Sequence, residues 1–248
     1  MLESVKKAFA LSGKALKIFY VMASCIVLTN IINVLVIPAP VNVEMSLGKS
    51  LLVILLTLLI LLVTIFITGG ALAYIKELIK TGSASLSPFV NNAKKYFLRL
   101  LGIIATIILI FIILGVALFR IIDSTQGALK ASIIILMVLT FIILSVLLIL
   151  SPCALVGDDV SAIEAIKKGI SVGMKNFINV LAIMLIMFLI TLVVLIVASV
   201  ITGLLSFILK PIANFITAII MGIAYAALAT LTNIAYMDVY LKNAYARK

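Results

Sequence analysis

The sequence contains no histidine, few acidic residues and almost no cysteine. Aspartate and glutamate together number 8 among 248 residues, and Cys25 and Cys153 are the two cysteines. The sequence therefore disfavours a zinc site and excludes histidine-dependent proton transfer, because the usual ligands are scarce and the usual base is missing. Each cysteine lies in or beside an apolar run, and we expect both to be small buried hydrophobic residues.

Sequence signatures of catalysis are missing as well. The chain has no Walker-type glycine loop, no nucleophile elbow and no pair of carboxylates within an apolar run. Asp158 and Asp159 are adjacent, and side chains one residue apart do not converge on a common site. We expect them to serve a turn and the positive end of the following helix. The sequence predicts no catalytic residue, no metal site, no cofactor and no enzymatic activity.

Apolar residues are what the sequence has in abundance. Hydrophobic residues make up 66% and charged residues 11% of the chain, and the mean hydropathy is +1.45, which no soluble domain tolerates. Six apolar runs are long enough to cross a bilayer; they cover residues 18–37, 51–74, 97–119, 131–155, 177–209 and 212–236. The sequence predicts one all-α membrane domain over residues 1–248, a polytopic bundle of six transmembrane helices. We expect the last run at its centre, because its small residues allow close packing.

Lysine and arginine are distributed unevenly among the segments between these runs. The two ends of the chain and the connections after the second and fourth runs hold 15 of the 19, whereas the other connections hold Lys49, Arg120, Lys130 and Lys210. By the positive-inside rule, both termini should be cytoplasmic. The same rule accounts for the net charge of +11 without nucleic acid as a partner.

The connection after the fourth run shows how the chain leaves the membrane and returns to it. Pro152 and Gly157 discourage continuation of the preceding helix, so we expect a turn here. Ser161 and Glu164 have the spacing of a capping box, in which the hydroxyl accepts from the Glu164 backbone N–H and the carboxylate reaches back. Isoleucines then alternate with lysines, which predicts an amphipathic helix on the membrane surface with its isoleucines toward the hydrocarbon.

Similar basic segments precede the first and third runs. The second of them begins with Ser87-Pro88, a pattern typical of an N-cap followed by proline at the first helical position. Lys14, Lys95 and Lys175 occupy matching places in the three segments, 81 and 80 residues apart. These spacings favour three parallel repeats, each a surface helix and two spans, over residues 1–80, 81–160 and 161–248. Chance similarity is the alternative, because few residues are identical between the units.

Two sets of residues are candidates for function. Basic residues of the surface helices would contact anionic lipid headgroups, a protein partner or a second copy of the chain; the candidates are Lys94, Lys95, Lys167, Lys168 and Lys175. Polar residues within the runs would bond between helices or line a substrate path; these are Asn30, Asn33, Thr64, Thr68 and Asn233. The first set favours a non-enzymatic role in membrane organisation or as a subunit of a membrane complex. The second set supports the alternative, a transporter or exporter of a small or amphiphilic molecule.

The connection described above resembles that of a large group of uncharacterised bacterial and archaeal membrane proteins. The shared pattern is a proline at a span's end, an acidic turn, Glu-Ala, two basic residues and Asn-Phe entering the next span. Here it reads Pro152, Asp158-Asp159, Glu164-Ala165, Lys167-Lys168 and Asn176-Phe177. The group is related to the membrane domain attached to some glycerophosphoryl diester phosphodiesterases. The resemblance implies a prokaryotic cell membrane and no catalytic residues, because the phosphodiesterase chemistry belongs to a separate soluble domain.

Overall fold

The computed structural model describes residues 2–36, 47–208 and 212–245, and all regular structure in these ranges is α-helical. The helices are α1 Leu2–Ser12, α2 Leu16–Val36, α3 Leu47–Thr81, α4 Phe89–Asp123, α5 Gly127–Leu148, α6 Ser151–Asp158, α7 Ala162–Lys175, α8 Phe177–Ile208 and α9 Ala213–Tyr245. Six segments are long and apolar enough to cross a membrane: α2, α3, α4, α5 with α6, α8 and α9. The predicted all-α class with six membrane-crossing helices is confirmed. Lys210 and the predicted run ends at residues 37 and 209 lie outside the described residues.

The buried core lies at one end of the bundle, where α1, α6 and α7 meet the last turns of α3 and α9 and the first turns of α4. We call this the basic end. Leu72, Leu155 and Ile234 are at most 1% exposed there. In the opposite halves of α3, α4, α5 and α8, the leucine and isoleucine side chains are largely exposed. A surface this apolar is stable only against hydrocarbon, so these halves of the helices are suited to contact lipid.

Helix α9 lies at the centre of the bundle, as its composition predicts. It packs against α1, α2, α3, α6, α7 and α8. Gly222 allows α2 to approach closely, since a Cβ at this position would lie 2.9 Å from the Val27 Cα atom. The small residues of α9 therefore allow the backbones of neighbouring helices to approach closely, as they generally do in membrane helices.

The second predicted surface helix is not a separate helix. Residues 89–97 are the first turns of α4, which continues without interruption to Asp123. Pro88 occupies the N-cap position and no side chain caps the helix there, so the predicted Ser87 cap is wrong. The buried positions Ala93, Tyr96, Leu100 and Ile103 follow one helical register against α3, which explains why no break occurs. The threefold repeat stays a prediction.

The break predicted before Pro152 is present, since α5 ends at Leu148 and α6 begins at Ser151. The turn predicted at Gly157 is wrong, because Gly157 lies inside α6. Pro152 lies in the first turn of α6, where the missing N–H removes no helical hydrogen bond. Gly157 packs on a ring, and a Cβ there would lie 2.7 Å from the Tyr240 Cε1 atom. The turn comes at Asp159, which has a φ of 56°. Aspartate is among the few residues that adopt this left-handed conformation readily.

Ser161 caps α7, as its spacing from Glu164 predicts. The Ser161 hydroxyl accepts a hydrogen bond from the Glu164 backbone N–H at 3.4 Å. The Glu164 carboxylate lies 3.4 Å from the Lys168 ammonium, one turn further along the helix. Half of the capping box therefore forms, and the acidic side chain pairs along the helix instead of reaching back.

Helix α7 packs on the bundle through its small residues. Ala165, Gly169 and Gly173, four residues apart, are its buried positions. A Cβ on Gly169 would lie 2.8 Å from the Ser151 Cα atom, so the backbones of α6 and α7 almost touch. Ile163 is 69% exposed, which leaves it available to hydrocarbon. The position of α7 on a membrane surface stays a prediction.

Candidate functional site: the basic end of the bundle

The basic end is held together by three carboxylates, each contacted by cations from other helices. The most buried of them is Asp238 on α9, which is 1% exposed. Its carboxylate accepts hydrogen bonds from the Ser4 hydroxyl and the Lys7 ammonium of α1, both at 2.7 Å. Lys242 lies 2.9 Å from the same carboxylate, one turn along α9. These contacts fix α1 to the end of the central helix.

Asp238 comes two residues after the predicted end of the last run at residue 236, yet it is buried in the protein and does not lie in water. Helix α9 continues to Tyr245, and α1 folds over the continuation. The sequence does carry a signal for the contact, since Ser4 and Lys7 are three residues apart and share a helix face. Their partner could not be identified, because it lies 231 residues from Lys7 in the chain.

The second carboxylate, Asp158, ends α6. Its Oδ2 atom accepts from the Lys168 ammonium at 2.8 Å and from the Tyr240 hydroxyl at 3.0 Å. The hydrogen bond to Asp158 raises the pKa of Lys168 above its ordinary value. Asp158 therefore joins α6, α7 and α9. The sequence predicts a role in a turn for this residue and does not predict these contacts between helices.

The third carboxylate, Asp159, forms the turn after α6, as predicted, and also contacts α4. It accepts hydrogen bonds from the Lys95 ammonium and, at 3.1 Å, from the Arg99 guanidinium. The hydrogen bond from Lys95 holds the pKa of Asp159 below its ordinary value. Because all these side chains are about two-fifths exposed, water screens the interaction and its free energy is small.

Two substitutions separate the charge of Asp159 from its backbone conformation. At neutral pH, Asp159→Asn should lower the free energy of unfolding by about 0.5 kcal/mol, the usual worth of an exposed ion pair. Asp159→Ala should cost about 1 kcal/mol more, because alanine resists the left-handed conformation. Both are measured by unfolding titration of the protein in detergent.

The ion pair should also disappear on acidification. The ionised form is favoured in the folded protein, so its stabilisation is complete above the ordinary pKa of about 3.9 and is lost as the pH falls through the lowered pKa. The difference between the wild-type protein and Asp159→Asn should then vanish, whereas the extra cost of alanine should persist. A difference that stays constant at acidic pH would contradict the role of the charge.

The five candidate lipid-contacting lysines fall into two groups. Lys95 and Lys168 are paired with Asp159 and Asp158. Lys94, Lys167 and Lys175 are exposed and form no ion pair with any residue that the structure describes. The sequence could not separate the groups, because lysines next to one another on a helix look alike until their partners are known.

The polar candidates within the runs do not form one site. The Thr64 and Thr68 hydroxyls donate to the carbonyls of Ile60 and Thr64 in their own helix, both at 2.8 Å, and not between helices. Asn30 does bond between helices, from its side-chain amide to the Ala218 carbonyl of α9 at 3.2 Å. The two others are Asn33, which is exposed, and Asn233, which is half-buried.

A cleft of about 430 Å³ opens between α7 and α9 at the basic end. Its polar lining includes Asp158, Lys168, Ser171, Lys175 and Tyr240. Within the described ranges, no group of three or more histidine, cysteine, aspartate or glutamate side chains is placed to hold a metal ion. The chemistry that this lining offers is the binding of an anion by ammonium and hydroxyl donors.

Comparisons with known proteins identify one family for the chain. No curated protein and no solved structure was found to match the chain. The relation to the membrane domain of glycerophosphoryl diester phosphodiesterases stays a prediction. A family model described as a domain of unknown function, DUF7847, matches residues 17–246. This match covers all six apolar helices almost completely, so the chain is a multi-pass membrane protein that belongs to the DUF7847 family.

Proposed function

We propose that this protein is a non-enzymatic component of the prokaryotic cell membrane whose basic end contacts anionic lipid headgroups in the cytoplasmic leaflet. The observation that carries the proposal is the set of exposed lysines at the basic end. They form no ion pair with any described residue: Lys6, Lys14, Lys17, Lys94, Lys167 and Lys175. The role would be in membrane organisation or as a subunit of a membrane complex.

Charge balance at the basic end supports this proposal. Asp158, Asp159 and Asp238 already pair with cations of the protein, so they do not neutralise the exposed lysines. Each lysine near an anionic leaflet contributes about 1 kcal/mol of attraction, and salt screens the attraction at distances beyond about 10 Å. The positive-inside rule supports both termini on the cytoplasmic side.

The test compares two triple substitutions. Lys6, Lys94 and Lys167 are replaced by glutamine in one variant, and Lys49, Arg120 and Lys130 in the control. All six side chains are exposed, and both variants remove three charges. We expect the first variant to lose anionic lipid severalfold when the purified protein is equilibrated with vesicles of mixed phosphatidylglycerol and phosphatidylcholine, and the control to retain it.

Two outcomes would count against the proposal. Equal retention of phosphatidylglycerol by both variants would contradict lipid contact at the basic end. A larger loss in the control would place the anionic surface at the opposite end and reverse the orientation. Far-ultraviolet circular dichroism of both variants checks that the helices are intact.

Transport of a small or amphiphilic molecule is the alternative, and one further triple variant addresses it. Replacing Thr64, Thr68 and Asn233 by apolar residues of similar size should leave a cellular phenotype intact under our proposal. A transporter predicts the reverse, because its path would lie among these polar side chains while the lysines mainly orient the protein.

A further inference from the structure

The cleft between α7 and α9 adjoins a second, shallow and open hollow along the surface of α7. The second hollow measures about 400 Å³ and is lined by Lys167, Ile170, Ser171, Met174 and Lys175. Ser171 and Lys175 line both spaces, so the two hollows meet at one turn of α7. One side of this turn is polar, whereas the other side carries apolar side chains.

Most of the polar groups in the cleft already have partners. Asp158 accepts from Lys168 and Tyr240, and the Asn243 side-chain amide donates to the Val239 carbonyl at 2.8 Å. The Lys175 ammonium and the Ser171 hydroxyl are exposed and have no hydrogen-bond partner among the described residues. Their donors are thus available to a ligand.

The charge of the lining favours an anion. Lys168 and Lys175 face the cleft against the single carboxylate of Asp158, which leaves one positive charge unbalanced. The Asp158 side chain is 22% exposed, and its Oδ2 atom already accepts two hydrogen bonds. An anion would approach at Lys175, one helical turn from Ser171, because Lys175 forms no ion pair with any described carboxylate.

The neighbouring hollow favours an anion that carries a hydrocarbon chain. Met174 is 65% exposed and lies beside Ile170 and Lys167 in that hollow. Exposed apolar side chains next to a polar cleft are what an amphiphile needs, because its head and chain require different surroundings.

We propose that the cleft between α7 and α9 is a specific site for a lipid phosphate group, bound by Lys175 and Ser171 with the acyl chains along Ile170 and Met174. This site rests on the proposed function, since it is the place where contact with the anionic leaflet becomes selective. The remaining exposed lysines differ from this site because they attract the leaflet without binding any one headgroup specifically.

The test measures binding of phosphatidylglycerol to the purified full-length protein by native mass spectrometry in a neutral detergent. Lys175→Gln should weaken the first bound lipid roughly tenfold, the usual effect of losing a charge-assisted hydrogen bond. The matched control is Lys94→Gln, an exposed lysine outside the cleft, which should change binding less than about twofold. Lys175→Arg should restore binding, and Ser171→Ala should weaken it to a smaller extent.

The outcomes distinguish this site from the proposed function and from other ligands. Equal effects of Lys175→Gln and Lys94→Gln would overturn the site while leaving the general lipid contact intact. Retention of anionic lipid by the triple variant of Lys6, Lys94 and Lys167 would instead contradict the proposed function. If inorganic phosphate binds as tightly as phosphatidylglycerol and displaces it, the ligand is a free anion, and the lipid part of the proposal is wrong.

Discussion

Replacing Gly169 by alanine should lower the free energy of unfolding by about 2 kcal/mol, in the range for overpacking a tight contact. The new Cβ would lie 2.6 Å from the Ser151 hydroxyl oxygen and 2.8 Å from the Ser151 backbone N and Cα atoms. Backbone atoms cannot rotate away as a flexible side chain can, so α7 must move off α6. This movement would weaken the Lys168 contact with Asp158, which joins the same two helices.

The matched control for Gly169→Ala is Gly203→Ala on α8. Apart from its own helical turns, no described atom lies within 4 Å of a Cβ built at Gly203, and alanine is favoured over glycine in a helix by about 1 kcal/mol. The two substitutions are therefore expected to have opposite signs in an unfolding titration of the detergent-solubilised protein. Hydrogen exchange across α7 should accelerate in Gly169→Ala alone. Equal stabilities of the two variants would mean that α6 and α7 are less closely packed than described.

Replacing Asp238 by alanine should have a comparable or larger effect, about 2–3 kcal/mol. Removing one partner of a buried ion pair costs about 3–5 kcal/mol, and we reduce this value because Lys7 and Lys242 are 37% and 45% exposed and can reach water. The Ser4 hydroxyl also loses its acceptor. Hydrogen exchange should show α1 released from α9, while α3 and α4 stay protected.

Two further variants test whether the effect of Asp238→Ala comes from its charge. Glu3→Ala serves as control, because its carboxylate is 87% exposed and 3.7 Å from Lys242; we expect a change within about 0.5 kcal/mol. The double variant Asp238→Leu with Lys7→Met should regain part of the stability, because an apolar pair can replace a buried ion pair. A double variant that is less stable than Asp238→Ala would contradict this electrostatic account.

The limits of sequence reasoning are clearest where a local rule points to a break that packing overrides. Pro152 does separate two helices, since α5 ends at Leu148 and α6 begins at Ser151, but Gly157 lies inside α6. Proline is compatible with the first turn of a helix, and Gly157 is required by the Tyr240 ring at 2.7 Å from its missing Cβ. Periodicity could not show this, because the ring comes from α9.

The amino-acid sequence by itself determined the membrane class, the six apolar helices and the cap at Ser161. Each of these depends on residues close in the chain: a run of about 20 apolar residues is enough to span hydrocarbon, and a cap needs a donor three residues away. The accumulation of lysine on one set of connections is likewise a property of composition.

Only the tertiary structure decided which lysines are neutralised and which remain available at the basic end. Lys7 pairs with a carboxylate 231 residues away and Lys95 with one 64 residues away. The neighbouring Lys6 and Lys94 form no ion pair with a described carboxylate. The choice depends on the rotation of each helix about its axis. That rotation is set by close contacts such as Gly169 on Ser151 and Gly222 on Val27, which join segments too distant in the chain for any local pattern to relate.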